Sequence, residues 1–394
     1  MLKGKNVILG VTGSIAAYKI ASLASALKKL SCNVDVIMTE NACNFINPIT
    51  FETLTGNKCL VDTFDRNFQY SVEHVSLAKK ADLFLVAPAS ANFIGKAANG
   101  IADDMLTTTF MACECKKIVS PAMNTRMFNN PVVKDNMKKL ESYGIDVINP
   151  ASGYLACGDT GEGKMPEPEV LISYILRELA HEKDMKGLKV CVTAGPTRET
   201  IDPVRFISNR STGKMGFALA KNAMERGADV TLVSGPVELK DVPFVKMVHV
   251  ESARQMFEAV TKEAETADII VKAAAVADYR PAVVADEKIK KKDGDMSIAL
   301  ERTDDIIGTL GKTKRDNLFL CGFSMETEHM LENSKAKLEK KNLDMIIANN
   351  VKVKGAGFGT DTNVVSLITK DEIKELPIMS KEDVADEIFN NILA

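Results

Sequence analysis

The sequence lacks the features that would point to nucleic acid, a membrane or a structural metal. Its formal net charge is only −3 over 394 residues, which favours neither nucleic acid nor an anionic membrane as a partner. No apolar run approaches the ~18–20 residues of a membrane-spanning helix. The eight cysteines form no C-x-x-C pair, and the four histidines are not at zinc-ligand spacing from them. We therefore expect free thiols in a reducing cytosol.

The glycine-rich loops also lack the two common nucleotide-binding motifs. The first loop, G-V-T-G-S at 10–14, is not the G-x-G-x-x-G dinucleotide fingerprint. The second, S-T-G-K-M-G at 211–216, is not the G-x-x-x-x-G-K-[ST] P-loop. A glycine-rich turn before a helix still presents free N–H groups and a positive dipole end to an anion. Gly13 and Ser14 are therefore predicted to form either an anion site or a tight turn with a helix cap.

Alternating apolar strands and helices predict two α/β domains. A continuous apolar run predicts a buried strand at Asn6–Val11, a further strand is predicted at Asp229–Ser234, and a helix is predicted at 91–98. A length of 394 residues also favours two domains. We predict domains at 1–186 and 187–394, each with a Rossmann-like fold and a parallel sheet covered by helices on both faces.

A polar stretch at 151–168, just before the predicted domain boundary, contains four glycines and two prolines. Because long loops in compact domains are often lids, this stretch is predicted to be a mobile lid.

Four features of the first half carry polar residues that the fold alone does not require. The segments V-A-P-A-S-A-N at 86–92 and P-A-M-N-T-R-M at 121–127 follow predicted strands, where open α/β sheets bind ligands. His74 precedes a predicted helix, and Cys157 lies in the predicted lid. Each is weak when taken singly, because a lone histidine is more often a surface or capping residue and a lone loop cysteine is more often unreactive.

Together, these features resemble a known family over nearly the whole chain: the bifunctional phosphopantothenoylcysteine decarboxylase/phosphopantothenate–cysteine ligases of coenzyme A biosynthesis. The first half is similar to flavin-containing cysteine decarboxylases and the second half to the ligase. The chain departs slightly from the family pattern at Lys164, where arginine is usual, and at Thr212, where serine is usual. The segments that carry the resemblance are G-S-I-A-A-Y-K at 13–19, A-P-A-S-A-N at 87–92, P-A-M-N-T-R-M at 121–127, A-C-G-D-T-G-E-G at 156–163, D-P-V-R-F-I-S-N-R-S-T-G-K-M-G at 202–216, A-A-A-V-A-D-Y-R at 273–280 and E-K-I-K-K-K at 287–292.

For the first half, the resemblance implies a flavodoxin-like fold and an FMN cofactor that oxidises the substrate thiol to a thioaldehyde. The thioaldehyde accepts the electrons of decarboxylation, and FMN later returns the two electrons it took. His74 is implied to orient the substrate or handle a proton, Asn124 to hold the substrate carboxylate, and Cys157 to protonate the enethiol intermediate. The implied FMN-binding residues are Gly13, Ser14, Thr39, Ser90, Asn92, Thr107 and Met123.

For the second half, the resemblance implies joining of 4′-phosphopantothenate to cysteine through an acyl-cytidylate, with CTP converted to CMP and pyrophosphate. Asn209 is implied to stabilise the acyl-cytidylate and Lys288 to contact the nucleotide. Mg²⁺ is implied to bridge the triphosphate, since no dense carboxylate cluster marks a protein-made metal site. The implied CTP-binding residues are Ala273, Ala274, Ala275, Asp278, Lys288, Asp305, Ile306, Ile307, Phe323, Lys337 and Lys341.

The family's assembly implies a large homo-oligomer, with trimeric contacts between decarboxylase domains and dimeric contacts between ligase domains. Three other functions stay open at this point: an enzyme with only one active half, a regulatory binding protein without catalysis, and an NAD-dependent reductase. The presence of His74, Asn124 and Cys157 counts against the binding protein. The missing dinucleotide fingerprint counts against the reductase.

Overall fold

The computed structural model describes residues 2–64, 73–155, 158–291, 296–326, 330–350, 357 and 359–394. The chain divides into two compact units, Met1–His181 and Glu182–Ala394. The division therefore falls at 181/182, slightly before the boundary expected from the sequence. None of the helices in the described part of the chain is long and apolar enough to span a bilayer.

The first unit is built on a six-stranded parallel sheet and carries a separate two-stranded hairpin. Its strands are β1 (Asn6–Val11), β2 (Asn33–Met38), β3 (Cys59–Leu60), β4 (Leu83–Ala89), β5 (Lys116–Pro121), β6 (Asp146–Val147), β7 (Ala151–Tyr154) and β8 (Thr160–Lys164). The sheet order is β3-β2-β1-β4-β5-β6. Without the two-residue edge strand β3, this is the flavodoxin-like order, which confirms the predicted fold class. The strand order reverses between β1 and β4, where such sheets bind ligands.

Helices cover both faces of this sheet. They are α1 (Tyr18–Lys29), α2 (Glu40–Cys43), α3 (Pro48–Thr55), α4 (Glu73–Lys80), α5 (Ala91–Ala98), α6 (Met105–Ala112), α7 (Thr125–Phe128), α8 (Pro131–Ser142) and α9 (Pro168–Leu179). Successive side chains of a strand point to opposite faces. Leu9 accordingly packs in the core with α1, α3 and α9, while its neighbour Ile8 packs in the core with α5, α6 and α8.

The segment predicted to be a mobile lid is an ordered antiparallel hairpin over most of its length. Strands β7 and β8 pair from Ala151↔Lys164 to Tyr154↔Thr160. The hairpin is fixed to the loop after β5, because the N–H of Met123 donates to the carbonyl of Gly163 at 3.1 Å. The hydroxyl of Thr125 also donates to the carbonyl of Glu162 at 2.8 Å. The expectation of an irregular loop was therefore wrong for the two strands.

The second unit contains an eight-stranded mixed sheet and three small two-stranded ones. Its strands are β9 (Lys189–Ala194), β10 (Arg198–Thr200), β11 (Phe206–Ser208), β12 (Asp229–Ser234), β13 (Lys246–His249), β14 (Ile269–Lys272), β15 (Tyr279–Pro281), β16 (Leu300–Arg302), β17 (Phe319–Glu326), β18 (Met345–Asn350), β19 (Thr362–Asn363), β20 (Val365–Ile368), β21 (Ile373–Glu375) and β22 (Met379–Ser380). The helices are α10 (Lys214–Glu225), α11 (Ala253–Ala264), α12 (Ile306–Lys312), α13 (Met330–Lys340) and α14 (Lys381–Leu393).

The large sheet of the second unit has the order β13-β12-β9-β14-β17-β18-β20-β21. Its first six strands are parallel and follow the Rossmann order 3-2-1-4-5-6, which confirms the Rossmann-like prediction. Strands β20 and β21 then extend the sheet in antiparallel fashion. The order reverses between β9 and β14, so a ligand site is expected beyond the carboxyl ends of these two strands.

Candidate functional sites

Three hydroxyl side chains predicted to bind FMN cap helical turns at one edge of the first sheet. Ser14 follows β1, and its Oγ accepts a hydrogen bond from the N–H of Ala16. Thr39 follows β2 and Ser90 follows β4, and each caps the helix that begins after it. All three helical starts therefore point their N-terminal N–H groups toward the edge where an anion is favoured.

A cavity of about 510 Å³ lies at this edge and is lined by Gly13, Thr39, Ser90 and Asn92. A Cβ at position 13 would lie 2.8 Å from the Cβ of Asn41, so only glycine lets this loop approach α2 so closely. Four predicted FMN-binding residues thus share one cavity.

Buried Thr12 ties together the two loops that flank this cavity. Its Oγ1 donates to the carbonyl of Pro88 at 2.7 Å and accepts from the N–H of Ser90 at 2.9 Å. The loop after β1 is thereby held against the loop after β4, at the point where the strand order reverses.

A second cavity of the first unit, about 640 Å³, is lined by Ser14, Met123 and Asn124 and by the hairpin residue Lys164. The Oδ1 of Asn124 caps α7 by accepting from the N–H of Met127 at 2.8 Å. The Nδ2 of Asn124 has no acceptor among the residues that the structure describes. This amide is therefore available to donate a hydrogen bond to a carboxylate.

Charged side chains line one wall of the same cavity. The Nζ of Lys19 contacts Glu167 at 2.7 Å, and the Nζ of Lys164 lies 3.7 Å from the same carboxylate. The hydrogen bond from Lys19 lowers the pKa of Glu167 below its ordinary value. The wall thus carries two lysines and one ionised carboxylate.

Three predicted site residues of the first half are not among the residues that line these two cavities. Thr107 is buried, and its hydroxyl donates to the carboxylate of Asp104 at 2.8 Å in a capping box at the start of α6. His74 lies half-buried in the first turn of α4 and lines neither cavity. Cys157 lies outside the described residues. The roles of these three residues stay predictions.

In the second unit, a cavity of about 460 Å³ lies at the carboxyl ends of β9, β14 and β17. It brings together Asn209, Ala273–Ala275, Asp278 and Phe323. The Nδ2 of Asn209 donates to the carbonyl of Ala275 at 3.0 Å. The predicted acyl-cytidylate residue therefore lies beside a predicted CTP-binding segment.

The loop before α10 forms another wall of this cavity. Gly213 adopts φ of +79°, which favours glycine, and precedes the first helical residue Lys214. A Cβ at Gly216 would lie 2.5 Å from the Cβ of Ala194, so glycine allows α10 to pack closely on the end of β9.

An adjoining cavity of about 380 Å³ is lined by Asp278, Asp305, Ile306 and Lys341. The Nζ of Lys341 lies 3.1 Å from the carboxylate of Asp305, which also accepts from the N–H of Gly308. Burial opposes ionisation of Asp305, but the hydrogen bonds from Gly308 and Lys341 still lower its pKa. The predicted CTP-binding residues Asp305 and Ile306 therefore lie at a second polar cavity.

Lys288, Ile307 and Lys337 line neither of these two cavities. Lys288 is exposed in a loop, Lys337 is exposed on α13, and the side chain of Ile307 is buried in the core. Lys272, which the sequence analysis missed, lines both cavities. The signal for it was its place directly before A-A-A at 273–275, at the end of an apolar strand.

Within the described ranges, no three or more histidine, cysteine, aspartate or glutamate side chains are grouped so that they could hold a metal ion.

The comparisons with known proteins cover both units. Residues 1–180 match the Flavoprotein family model, and residues 185–394 match the model for the DNA/pantothenate metabolism flavoprotein C-terminal domain. The coenzyme A biosynthesis bifunctional protein CoaBC of Bacillus subtilis (strain 168) is 49% identical over 399 residues, covering 100% of this chain and 98% of that protein. CoaBC of Haemophilus influenzae is 42% identical over 392 residues, covering 100% of this chain and 98% of that protein. A crystal structure of the C-terminal domain of CoaBC is 44% identical with a TM-score of 0.46, covering 53% of this chain and 95% of that one.

Proposed function

The chain belongs to the CoaBC family of coenzyme A biosynthesis bifunctional proteins, and we propose that its two units catalyse two consecutive reactions of that biosynthesis. The second unit acts first, as a phosphopantothenate–cysteine ligase, and the first unit then acts as a phosphopantothenoylcysteine decarboxylase. Similarity that extends over the whole chain carries this proposal. It argues against an enzyme with one active half and against an NAD-dependent reductase.

In the ligase reaction, the carboxylate of 4′-phosphopantothenate attacks the α-phosphorus of CTP, forming an acyl-cytidylate and releasing pyrophosphate. The amine of cysteine then attacks the acyl carbon, forming the amide and releasing CMP. We assign Asn209 to hold the acyl-cytidylate, because its side chain is fixed by Ala275 at the wall of the cavity. We assign the phosphates of CTP to the region where the two cavities of this unit meet, with Mg²⁺ held mainly by phosphate oxygens.

In the decarboxylase reaction, FMN when bound supplies a reversible two-electron oxidation of the substrate thiol. The capped helical starts and the close approach at Gly13 support the 510 Å³ cavity as its site. The Nδ2 of Asn124 donates to the substrate carboxylate and orients it for loss as CO₂. Cys157 donates a proton to the enethiol carbon, and His74 orients the substrate.

We also propose that the protein is a homo-oligomer in which copies meet at the first unit. Ile15 and Tyr18 line the 640 Å³ cavity, and their side chains are 56% and 58% exposed to solvent. Large apolar side chains exposed together often mark an interface, so a neighbouring copy is proposed to cover them. His74 lines neither cavity of its own unit, so a neighbouring copy is the better source of this side chain. Light scattering on the purified protein would measure the mass, and a monomer would contradict this proposal.

The test of the proposed function is reconstitution. The purified protein should bind flavin and show a flavin absorption spectrum. When it is supplied with 4′-phosphopantothenate, cysteine, CTP and Mg²⁺, it should form 4′-phosphopantetheine, CO₂ and CMP. Omitting CTP should abolish all three products, while phosphopantothenoylcysteine added directly should still be decarboxylated. If no CMP forms when CTP, 4′-phosphopantothenate and cysteine are all supplied, the ligase assignment is refuted.

A further inference from the structure

Lys272 occupies the position in the second sheet where a ligand is most expected. It is the last residue of β14, and it is paired in register with Thr193 of β9 and Gly322 of β17. The strand order reverses between β9 and β14, and open α/β sheets bind ligands beyond the carboxyl ends of the strands at this point. Lys272 also lines both cavities of the ligase unit, so it lies where they meet.

The other lysines at these cavities have partners in the protein. Lys214 forms an ion pair with Asp361 at 2.7 Å, and Lys341 forms one with Asp305 at 3.1 Å. Lys381 donates to the backbone carbonyl of Gly357 at 3.0 Å. Lys272, in contrast, has no hydrogen bond or ion pair with any residue in the described part of the chain.

The surroundings of Lys272 make an unpaired ammonium unfavourable. Burial lowers the pKa of Lys272, and the nearby ammonium groups of Lys341 and Lys337 lower it further. Two carboxylates, Asp278 and Asp305, act in the opposite direction, but Asp305 already pairs with Lys341. A partly desolvated cation without a direct ion-pair partner raises the free energy of the site, and an entering anion would supply that partner.

We propose that Lys272 is a phosphate-binding residue of the ligase site and contacts the phosphate chain of CTP. The inference rests on the proposed ligase function, in which both CTP and 4′-phosphopantothenate carry phosphate. The nucleotide is the better match, because the predicted CTP residues line the two cavities on either side of Lys272. Lys272 is held at the end of a central strand, so a phosphate meets a cation that the fold has already positioned.

The test compares Lys272→Met and Lys272→Arg with the wild-type full-length protein. Lys272→Met keeps an unbranched side chain and removes the charge, whereas Lys272→Arg keeps the charge. We expect CTP to bind at least tenfold more weakly to Lys272→Met, as measured by calorimetry. Cytidine, which has no phosphates, should bind both proteins equally, and Lys272→Arg should recover part of the CTP affinity. Lys370→Met removes an exposed lysine of the same unit that lines neither cavity, and it should bind CTP as the wild type does.

Steady-state ligation then separates the two possible phosphate sources. Lys272→Met should raise the KM for CTP and leave the KM for 4′-phosphopantothenate unchanged. An increase only in the KM for 4′-phosphopantothenate would overturn the nucleotide assignment, as would unchanged CTP affinity. Equal losses of CTP and cytidine binding would indicate a structural defect and would also overturn it. If the wild type binds CTP but ligates nothing, the proposed function fails while the binding comparison still tests Lys272.

Discussion

The side-chain amide of Asn209 donates a hydrogen bond to the backbone carbonyl of Ala275, with 3.0 Å between nitrogen and oxygen. This bond joins two loops whose residues are 66 positions apart in the sequence. One loop precedes α10, and the other follows β14. Asn209 is thereby fixed against the segment that is predicted to bind CTP, and its position does not depend on the ligand.

Replacing Asn209 with alanine should abolish ligation and leave decarboxylation unchanged. Loss of a fixed hydrogen-bond donor to an intermediate typically lowers kcat by about 10²–10³-fold. The two activities can be measured separately, as CMP release from CTP and as CO₂ release from added phosphopantothenoylcysteine. Asn317→Ala is a suitable control, since Asn317 is exposed in the same unit and lines neither cavity. Ligation at the wild-type rate by Asn209→Ala would contradict the assigned role.

Replacing Gly163 with alanine should impair decarboxylation and leave ligation intact. Gly163 has φ of +122°, and a Cβ there would lie 2.3 Å from the carbonyl oxygen of Met123. The substitution must therefore displace the β7–β8 hairpin from the loop that carries Asn124. We expect at least a tenfold loss of decarboxylase kcat/KM at saturating FMN.

Gly95→Ala is the matched control for the Gly163 experiment. Gly95 lies within α5, and a Cβ there would come no closer than 3.8 Å to any neighbour beyond its own helix. Alanine is favoured over glycine in a helix interior by about 1 kcal/mol, so this variant should be fully active. Equal activity of the two variants would show that the hairpin tolerates displacement.

Much of the fold could be predicted because local sequence agrees with tertiary structure there. The strands at Asn6–Val11 and Asp229–Ser234 match their predicted bounds, as does the helix at 91–98. Asn6–Val11 is a nearly continuous apolar run that fits a strand buried on both faces, and Asp229–Ser234 is buried at every position after Asp229. The β7–β8 hairpin was missed because its glycine-rich sequence resembles a loop. It is held partly by hydrogen bonds to Met123 and Thr125, which are distant in sequence.

The candidate sites were only partly predictable, because they too depend on contacts between residues that are distant in sequence. Family motifs identified residues at strand ends, and these residues line common cavities in the structure. Lys272 was missed because a lysine that ends an apolar strand is usually a solvent-exposed residue. Its importance depends on the strand order, which places β14 beside β9 and which no local pattern encodes.

Replacing Cys157 with serine should allow thiol oxidation but stop the reaction before the final reduction. This prediction rests on the resemblance of the 156–163 segment, since serine is too weak an acid to protonate the enethiol carbon. Mass spectrometry should detect an enethiol product two hydrogens short of 4′-phosphopantetheine, and in the absence of oxygen the flavin absorbance should stay bleached. Cys32→Ser is a useful comparison, because burial raises the pKa of Cys32 to about 11 and leaves it a neutral core thiol. Normal product from Cys157→Ser would refute the role.

Ionisation of the buried carboxyl of Glu225 should make the second unit less stable as the pH rises toward neutrality. This last residue of α10 is 6% exposed, and burial raises its pKa to about 7 from an ordinary value of 4.5. Between these two values the folded state holds a proton that the unfolded state has lost. The free energy of unfolding therefore falls as the pH rises from 4.5 to about 7. Above this range, Glu225 causes no further change.

Glu225→Gln removes this titration and should stabilise the protein at pH 8 by up to about 3 kcal/mol, because each pKa unit corresponds to about 1.4 kcal/mol. The gain should shrink toward pH 5, because the folded wild-type side chain is protonated there and this pH lies only slightly above the ordinary pKa of 4.5 that governs the unfolded state. Calorimetric unfolding of the full chain at both pH values measures the change in Tm. Glu238→Gln alters an exposed carboxylate of the same unit and should change Tm little at either pH. A lower Tm for Glu225→Gln at pH 8 would mean that the ionised carboxylate is stabilised by Lys221 more than burial penalises it.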